Sequence, residues 1–150
     1  MANIVFNKFK EQLSKNIDWT TAVIRCLLER STSTYTPNAD HNFVSDLTGL
    51  VEISVTSYAR QTAGSPTCVE DDANDWAKLD ANDIAFGNLE AGQQVKALIF
   101  YVQIGGSDAT PADDILICRY DTDSGGALPA NLGGGAFTVQ FNTNGLMTLS

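Results

Sequence analysis

The chain carries a single imidazole, His41, so any Ser-His-Asp or Cys-His site would have to be built on it. It lies in the polar stretch STSTYTPNADHN, and no GxSxG nucleophile-elbow pattern occurs in the sequence. A solvated loop histidine is the expectation. The acidic series Glu70, Asp71, Asp72, Asp75, Asp80 and Asp83 could offer oxygen ligands to calcium. It lacks the glycine and closing glutamate of an EF-hand loop, and reads as an acidic edge that discourages strand-to-strand pairing. Asp121-Thr122-Asp123-Ser124-Gly125 is oxygen-rich too, but Asp and Gly also make ordinary turns. Neither Gly105-Gly106 nor Gly133-Gly134-Gly135 is joined to the lysine of a phosphate loop. Trp19 and Trp76 could stack on sugars, although burial is the commoner use of tryptophan in a β-rich chain. These residues do not assemble a nucleophile, a base and an oxyanion site. No catalytic activity, cofactor or metal is expected.

Cys26, Cys68 and Cys118 form no CxxC pair, and one histidine cannot complete a usual zinc set with them. An odd, widely spaced set is no disulfide framework. Cys26 and Cys118 lie in apolar runs and should be buried and reduced; Cys68 should lie unpaired in a loop. Synthesis in a reducing cytoplasm follows.

Eighteen acidic residues against nine basic ones give a net charge of −9. Nucleic-acid binding through a general basic surface is disfavoured, because phosphate contacts supply most of that affinity. The charge is uneven: residues 1–30 hold five bases and three acids, and the remaining 120 hold four bases and fifteen acids. That asymmetry suits either an N-terminal region facing an acidic partner or, as the commoner case, helix lysines that are simply solvated. No apolar run approaches the length of a membrane helix, and the first residues lack the pattern of a secretory signal.

The elements that would position these residues are mostly strands. A length of 150 residues suits one domain with its own core. Residues 1–16 are expected to form one short amphipathic helix, with Val5, Phe6, Phe9 and Leu13 on one side and Lys8, Glu11, Gln12 and Lys15 on the other. Asn16 would cap it. The rest, 17–150, reads as a β-rich body. Strands are expected over 19–28, over 50–58 with Val51, Ile53 and Val55 inward, over 95–104, over 115–120, over 136–142 and at the C-terminal LMTLS. FVSDLTG suits a helical turn, 59–75 a long loop or a ragged edge, and Asn144-Gly145 a hairpin turn joining the last two strands. VKALIFYVQI is apolar on both faces and must be covered by a second layer or by a neighbouring subunit. The fold class is mainly β, an antiparallel β-sandwich or barrel-like domain.

The segments FKEQLSKNIDW, YTPNADHNFVSDLTG, DANDIAFGNL, QVKALIFYVQIGG, ILICRYD and FTVQFNTNGLMTLS occur in that order and span nearly the whole chain. Together they resemble a group of small structural proteins of tailed bacteriophages, of the capsid decoration (cement) type. The resemblance implies a non-enzymatic virion protein that binds and stabilises the outer head shell. Its implied partners are the major capsid protein and copies of itself, most simply as a trimer, with no nucleic acid and no membrane. A tail or head–tail connector component is the alternative within that class, and a carbohydrate- or receptor-binding β-module the alternative outside it. The family supplies no catalytic residues. The contact surface suggested by residue chemistry is the N-terminal segment, with Val5, Phe6, Phe9 and Leu13 as an apolar stripe beside Lys8, Lys10 and Lys15.

Overall fold

The computed structural model describes residues 3–122 and 128–149. The fold is mainly β, with 39% of residues in strands and 7% in helix. The strands are β1 (Ile4–Val5), β2 (Ile24–Arg30), β3 (Gln61–Ala63), β4 (Thr67–Asp71), β5 (Trp76–Asp80), β6 (Ile84–Asn88), β7 (Gln94–Val102), β8 (Ile115–Tyr120), β9 (Ala130–Asn131), β10 (Ala136–Val139) and β11 (Met147–Leu149). One helix, α1 (Asn7–Leu13), follows β1, and a 3-10 turn spans Val44–Asp46. The central sheet runs β1-β8-β7-β2-β3, with β9 also pairing with β7. Two smaller sheets, β10-β6 and β11-β5-β4, complete an antiparallel, sandwich-like domain.

Strand alternation divides the interior between the two faces of the central sheet. Ile24, Cys26 and Leu28 of β2 and Phe100 and Val102 of β7 belong to the larger cluster, where Leu79, Ile84, Phe86, Val139 and Met147 of the smaller sheets meet them. Leu27 of β2 and Ile99 and Tyr101 of β7 point the other way, onto Phe6, Tyr35, Val44 and Leu47. The chain therefore covers both faces of β7 by itself. The expected β7 is borne out, and its cover needs no neighbouring subunit.

Cys26 and Cys118 are buried free thiols, and burial pushes both upward from the ordinary thiol range. They pair with Phe100 from opposite sides, so β7 separates them. Two strand spacings, about 9–10 Å, exceed the reach of a disulfide.

Several sequence expectations are corrected. Residues 4 and 5 are not helical; Phe6 donates its N–H to Ile117 O at 3.0 Å and β1 continues the edge of β8. Because β1 is a strand, Val5 and Phe6 face opposite sides, and Phe6 joins the smaller cluster while Phe9 joins the larger one. The supposed single stripe is split between two cores. Ser14, not Asn16, caps α1. The second strand starts at Ile24 because Asp18 bends the preceding segment, its Oδ1 accepting from the N–H and the hydroxyl of Thr20 at 3.0 and 2.7 Å.

Residues 50–58 make one bridge, Glu29 with Glu52, rather than a strand. Side chains take over the hydrogen bonds that a longer ladder would need. Leu28 donates to the Tyr58 hydroxyl at 3.0 Å, and the Ser54 N–H goes to Gln93 Oε1 at 2.9 Å. Ile53 is buried but Val51 is exposed. Residues 59–75 are not a plain loop: β3 and β4 lie there, so Cys68 is an exposed free thiol on a strand. The Asn144-Gly145 turn exists, with Gly145 at φ 71°, but it joins no hairpin. It sends β11 to pair with β5, while β10 pairs with β6.

Candidate interaction surface

α1 is too short to be stable alone and is held by what it buries. Phe9 is wholly buried, edge-on to Trp19 at 5.9 Å between ring centroids. Beside it, Val5, Phe9, Lys10, Leu13, Ser14, Met147 and Leu149 line a shallow groove of about 360 Å³ between α1 and β11. Leu149 remains 38% exposed at its rim.

The three lysines of the sequence expectation are on this corner and are not equivalent. Lys8 and Lys15 both reach Glu11, at 3.1 and 2.8 Å, the spacing that places i+3 and i+4 partners on one helix face. The hydrogen bond from Lys15, then that from Lys8, lowers the Glu11 carboxyl to about 2. Lys10 instead donates to the neutral Asn7 Oδ1 at 3.2 Å and stands at the groove. Three lysines against the carboxylates of Glu11 and Asp40, the latter bonded to Asn7 at 2.8 Å, leave these described side chains with a positive balance on an acidic molecule. Phe6 and Phe9 have no exposed surface, so they shape the corner without being available for contact. Val5, Leu13 and the lysines remain.

The other chemistry-bearing residues are dispersed. His41 accepts or donates at Nδ1 to the Tyr35 hydroxyl, 2.9 Å away, and thus closes its own loop. Asp71 organises the β4–β5 turn, accepting from Ala73 N, Asn74 Nδ2 and Trp76 Nε1 at 3.2, 2.9 and 3.1 Å. Among the described residues no three His, Cys, Asp or Glu side chains are grouped for a metal. Asp123 to Gly125 of the oxygen-rich segment lie outside the described residues. Trp19 is 3% exposed and donates to Asp80 O at 3.1 Å, so its ring is not a free stacking platform; Trp76 is half-buried and its indole N–H is tied to Asp71. No described helix is long and apolar enough to cross a membrane.

Sequence reading missed two polar networks on the smaller-cluster side. Arg119 and Glu29 are both fully buried and meet at 2.8 Å; Arg119 also holds Asp121 at 2.8 Å, and Lys96 approaches Glu29 at 3.2 Å. Arg25 pairs with Asp108 at 2.7 Å, and Asp108 also accepts from Tyr101 and Gln103. Burial alone would raise Asp108, but the Tyr101 hydrogen bond and the Arg25 charge outweigh it and hold the carboxyl below its usual range. Arg60 binds Glu52 and lies 5.5 Å from the Tyr101 ring centroid. Charged residues inside otherwise apolar strands (Glu29, Arg119) were the available signal, since such residues are seldom buried unpaired.

Comparison with known proteins adds no relative: no family model, no curated protein and no solved structure matches the chain.

Proposed function

We propose that the chain is a non-enzymatic structural protein of a phage virion, a capsid decoration protein that docks on the outer head shell through its N-terminal corner. The reading rests on the segments that resemble cement proteins and on one structural observation that fits them. At the α1–β11 groove, Lys10 stands beside apolar Leu13 and Leu149 on a molecule whose net charge is −9. A partner presenting an apolar side chain among carboxylates complements this corner and is repelled elsewhere. The major capsid protein is the proposed partner and a trimer the proposed state. The trimer rests on the resemblance alone, because β7 is already covered within the chain.

The test is reconstitution on undecorated shells, with occupancy measured by cryo-electron microscopy across ionic strength. Changing Lys8, Lys10 and Lys15 together to glutamate should leave the melting temperature within a few degrees, since exposed charges contribute little to folding. The same variant should lose occupancy first at low salt, where charge complementarity is least screened. Unchanged occupancy of a folded triple variant would refute docking at this corner. Failure of the unaltered protein to bind shells would refute the decoration role.

A further inference from the structure

A second cleft, larger than the groove at the N-terminal corner, lies elsewhere among the described residues. It opens on the larger-cluster side, between the central sheet and the segment that links β10 to β11, and measures about 640 Å³. That volume is in the range of small-molecule sites. Its described lining contains no Asp, Glu, Lys, Arg or His, although the chain holds eighteen acidic and nine basic residues. Among the described lining residues a charged ligand finds no counter-ion. A neutral one loses nothing.

The walls combine two chemistries. Phe137 and Phe141 are half-buried, held in place by aromatic neighbours: Phe137 edge-on to Phe86 at 6.0 Å, Phe141 tilted against Phe100 at 5.8 Å. Rings fixed in this way offer surface at little cost in conformational entropy. Around them stand the carboxamides Gln140, Asn142 and Asn144. Asn142 Oδ1 is already engaged, accepting from the Asn144 N–H at 2.7 Å, so its Nδ2 donors are what it can offer a ligand. Tyr120 spends its proton on Leu146 O at 2.6 Å and retains only acceptor capacity. A purely apolar ligand, such as an acyl chain, would bury these amides unsatisfied. A pyranose ring has the matching character: a C–H face for the aromatic rings, whose electron-rich faces attract it, and hydroxyls at its edge for the amides.

We propose that this cleft is a binding site for a neutral saccharide, with Phe137 and Phe141 as the stacking walls and Gln140, Asn142 and Asn144 as the hydroxyl-binding rim. The cleft adjoins the docking groove, Met147 lining both, but the proposed saccharide-binding residues belong to the cleft alone and the proposal does not depend on docking.

The test is a two-dimensional NMR titration of the intact, isotope-labelled protein with cellotetraose, maltotetraose and chitotetraose. A heparin tetrasaccharide and dodecanoate serve as the charged and acyl probes. A neutral saccharide should shift amide signals of residues 137–144 saturably, with no such effect from the heparin fragment. Phe141→Ala should weaken that binding about tenfold, the loss expected for one aromatic contact. Gln140→Ala, at an exposed position, should weaken it about threefold without altering the melting temperature, and carries the test if Phe141→Ala does not fold. The proposal is overturned if none of the neutral saccharides shifts these signals, if the shifts map elsewhere, or if dodecanoate alone produces them.

Discussion

On the face of the central sheet that carries Cys26, Leu28 and Phe100, the buried cluster is apolar, and much of its cover comes from the two small sheets. On the opposite face, Leu27, Ile99 and Tyr101 share the interior with Glu29 and Arg119. That face is closed by Phe6, by the segment from Tyr35 to Leu50 with its 3-10 turn, and by the loop carrying Asp108. The cover explains the chemistry. Regular strands satisfy their backbone groups among themselves and can present apolar side chains alone. Irregular segments leave N–H and C=O groups that need other partners, and the side chains that serve them bring polarity inward. Asp46 accepts from the N–H groups of Asn42 and Phe43, and Asp114 from that of Ile104. One face is held by shape and the other by charge pairing as well.

The largest expected effects separate these two modes. Phe100→Ala removes a fully buried ring and should cost about 3–5 kcal/mol by cavity formation. Arg119→Met should cost a similar amount, about 3–5 kcal/mol, but for another reason: Asp121 loses its guanidinium partner and Glu29 keeps only Lys96, at 3.2 Å. The difference lies in rescue. Adding Glu29→Met to Arg119→Met should recover at least about half the loss, because replacing both members of a buried pair by apolar groups is often near neutral. The same second change added to Phe100→Ala should recover nothing. Urea unfolding of the singles and doubles measures all of this, and additivity in the Arg119/Glu29 cycle would break the distinction between the faces.

A middle-sized effect sharpens the apolar side. Its cover depends on the chain turning at Gly145 so that β11 reaches β5. Gly145 has φ 71°, and a Cβ there would lie 2.6 Å from Leu79 O and 2.9 Å from Asp80 Cβ. Gly145→Ala should therefore cost about 2 kcal/mol, from left-handed strain and contact with backbone together. Gly87→Ala is the control, with φ 74° but open space around it, and should cost about 1 kcal/mol. Equal losses would mean that close approach to β5 contributes nothing.

How much of this was legible follows the same division. The strands that cross the middle of the sheet, β7 and β8, are unbroken apolar runs, and composition alone marks them. β4 left no such mark because its residues are almost all exposed, so alternation had nothing to record. Residues 50–58 alternate as a strand should, yet hydroxyl and amide side chains intercept the ladder, which periodicity of side chains does not report. Val5 and Phe6 satisfy helical spacing with Phe9 and strand alternation with each other; only the free edge of β8 decides between them. At the candidate corner the lysines were readable, and the i+3 and i+4 spacing to Glu11 marks their pairing. The saccharide cleft was not, since its walls come from β7, β8 and the β10–β11 segment, far apart in sequence.

The smallest expected effect tests whether the polar cover carries a cost as well as a benefit. Asp114 is fully buried at the entry to β8; its Oδ1 accepts from Ile104 N at 2.9 Å, while Oδ2 has no partner among the described residues. Burial raises its carboxyl above the ordinary 3.8, against the hydrogen bond that lowers it. In the unfolded chain Asp114 releases its proton near 3.8, while the folded chain retains it to higher pH. The folded state thus binds more protons in that interval, and stability from this group falls as pH rises from 3.8 through the folded value. Asp114→Asn keeps the oxygen that Ile104 needs and removes the titration. Relative to the unaltered protein, the variant should gain stability as pH rises through that interval, by less than about 1 kcal/mol in total. Denaturant midpoints measured from acid to neutral pH read the difference directly. A Cys26→Ala variant on the apolar face should show a constant offset across the same range, because its thiol stays neutral throughout. A constant offset for Asp114→Asn as well would mean that the buried carboxylate is fully compensated in the fold, and the contrast between the faces would then reduce to Arg119 and Glu29.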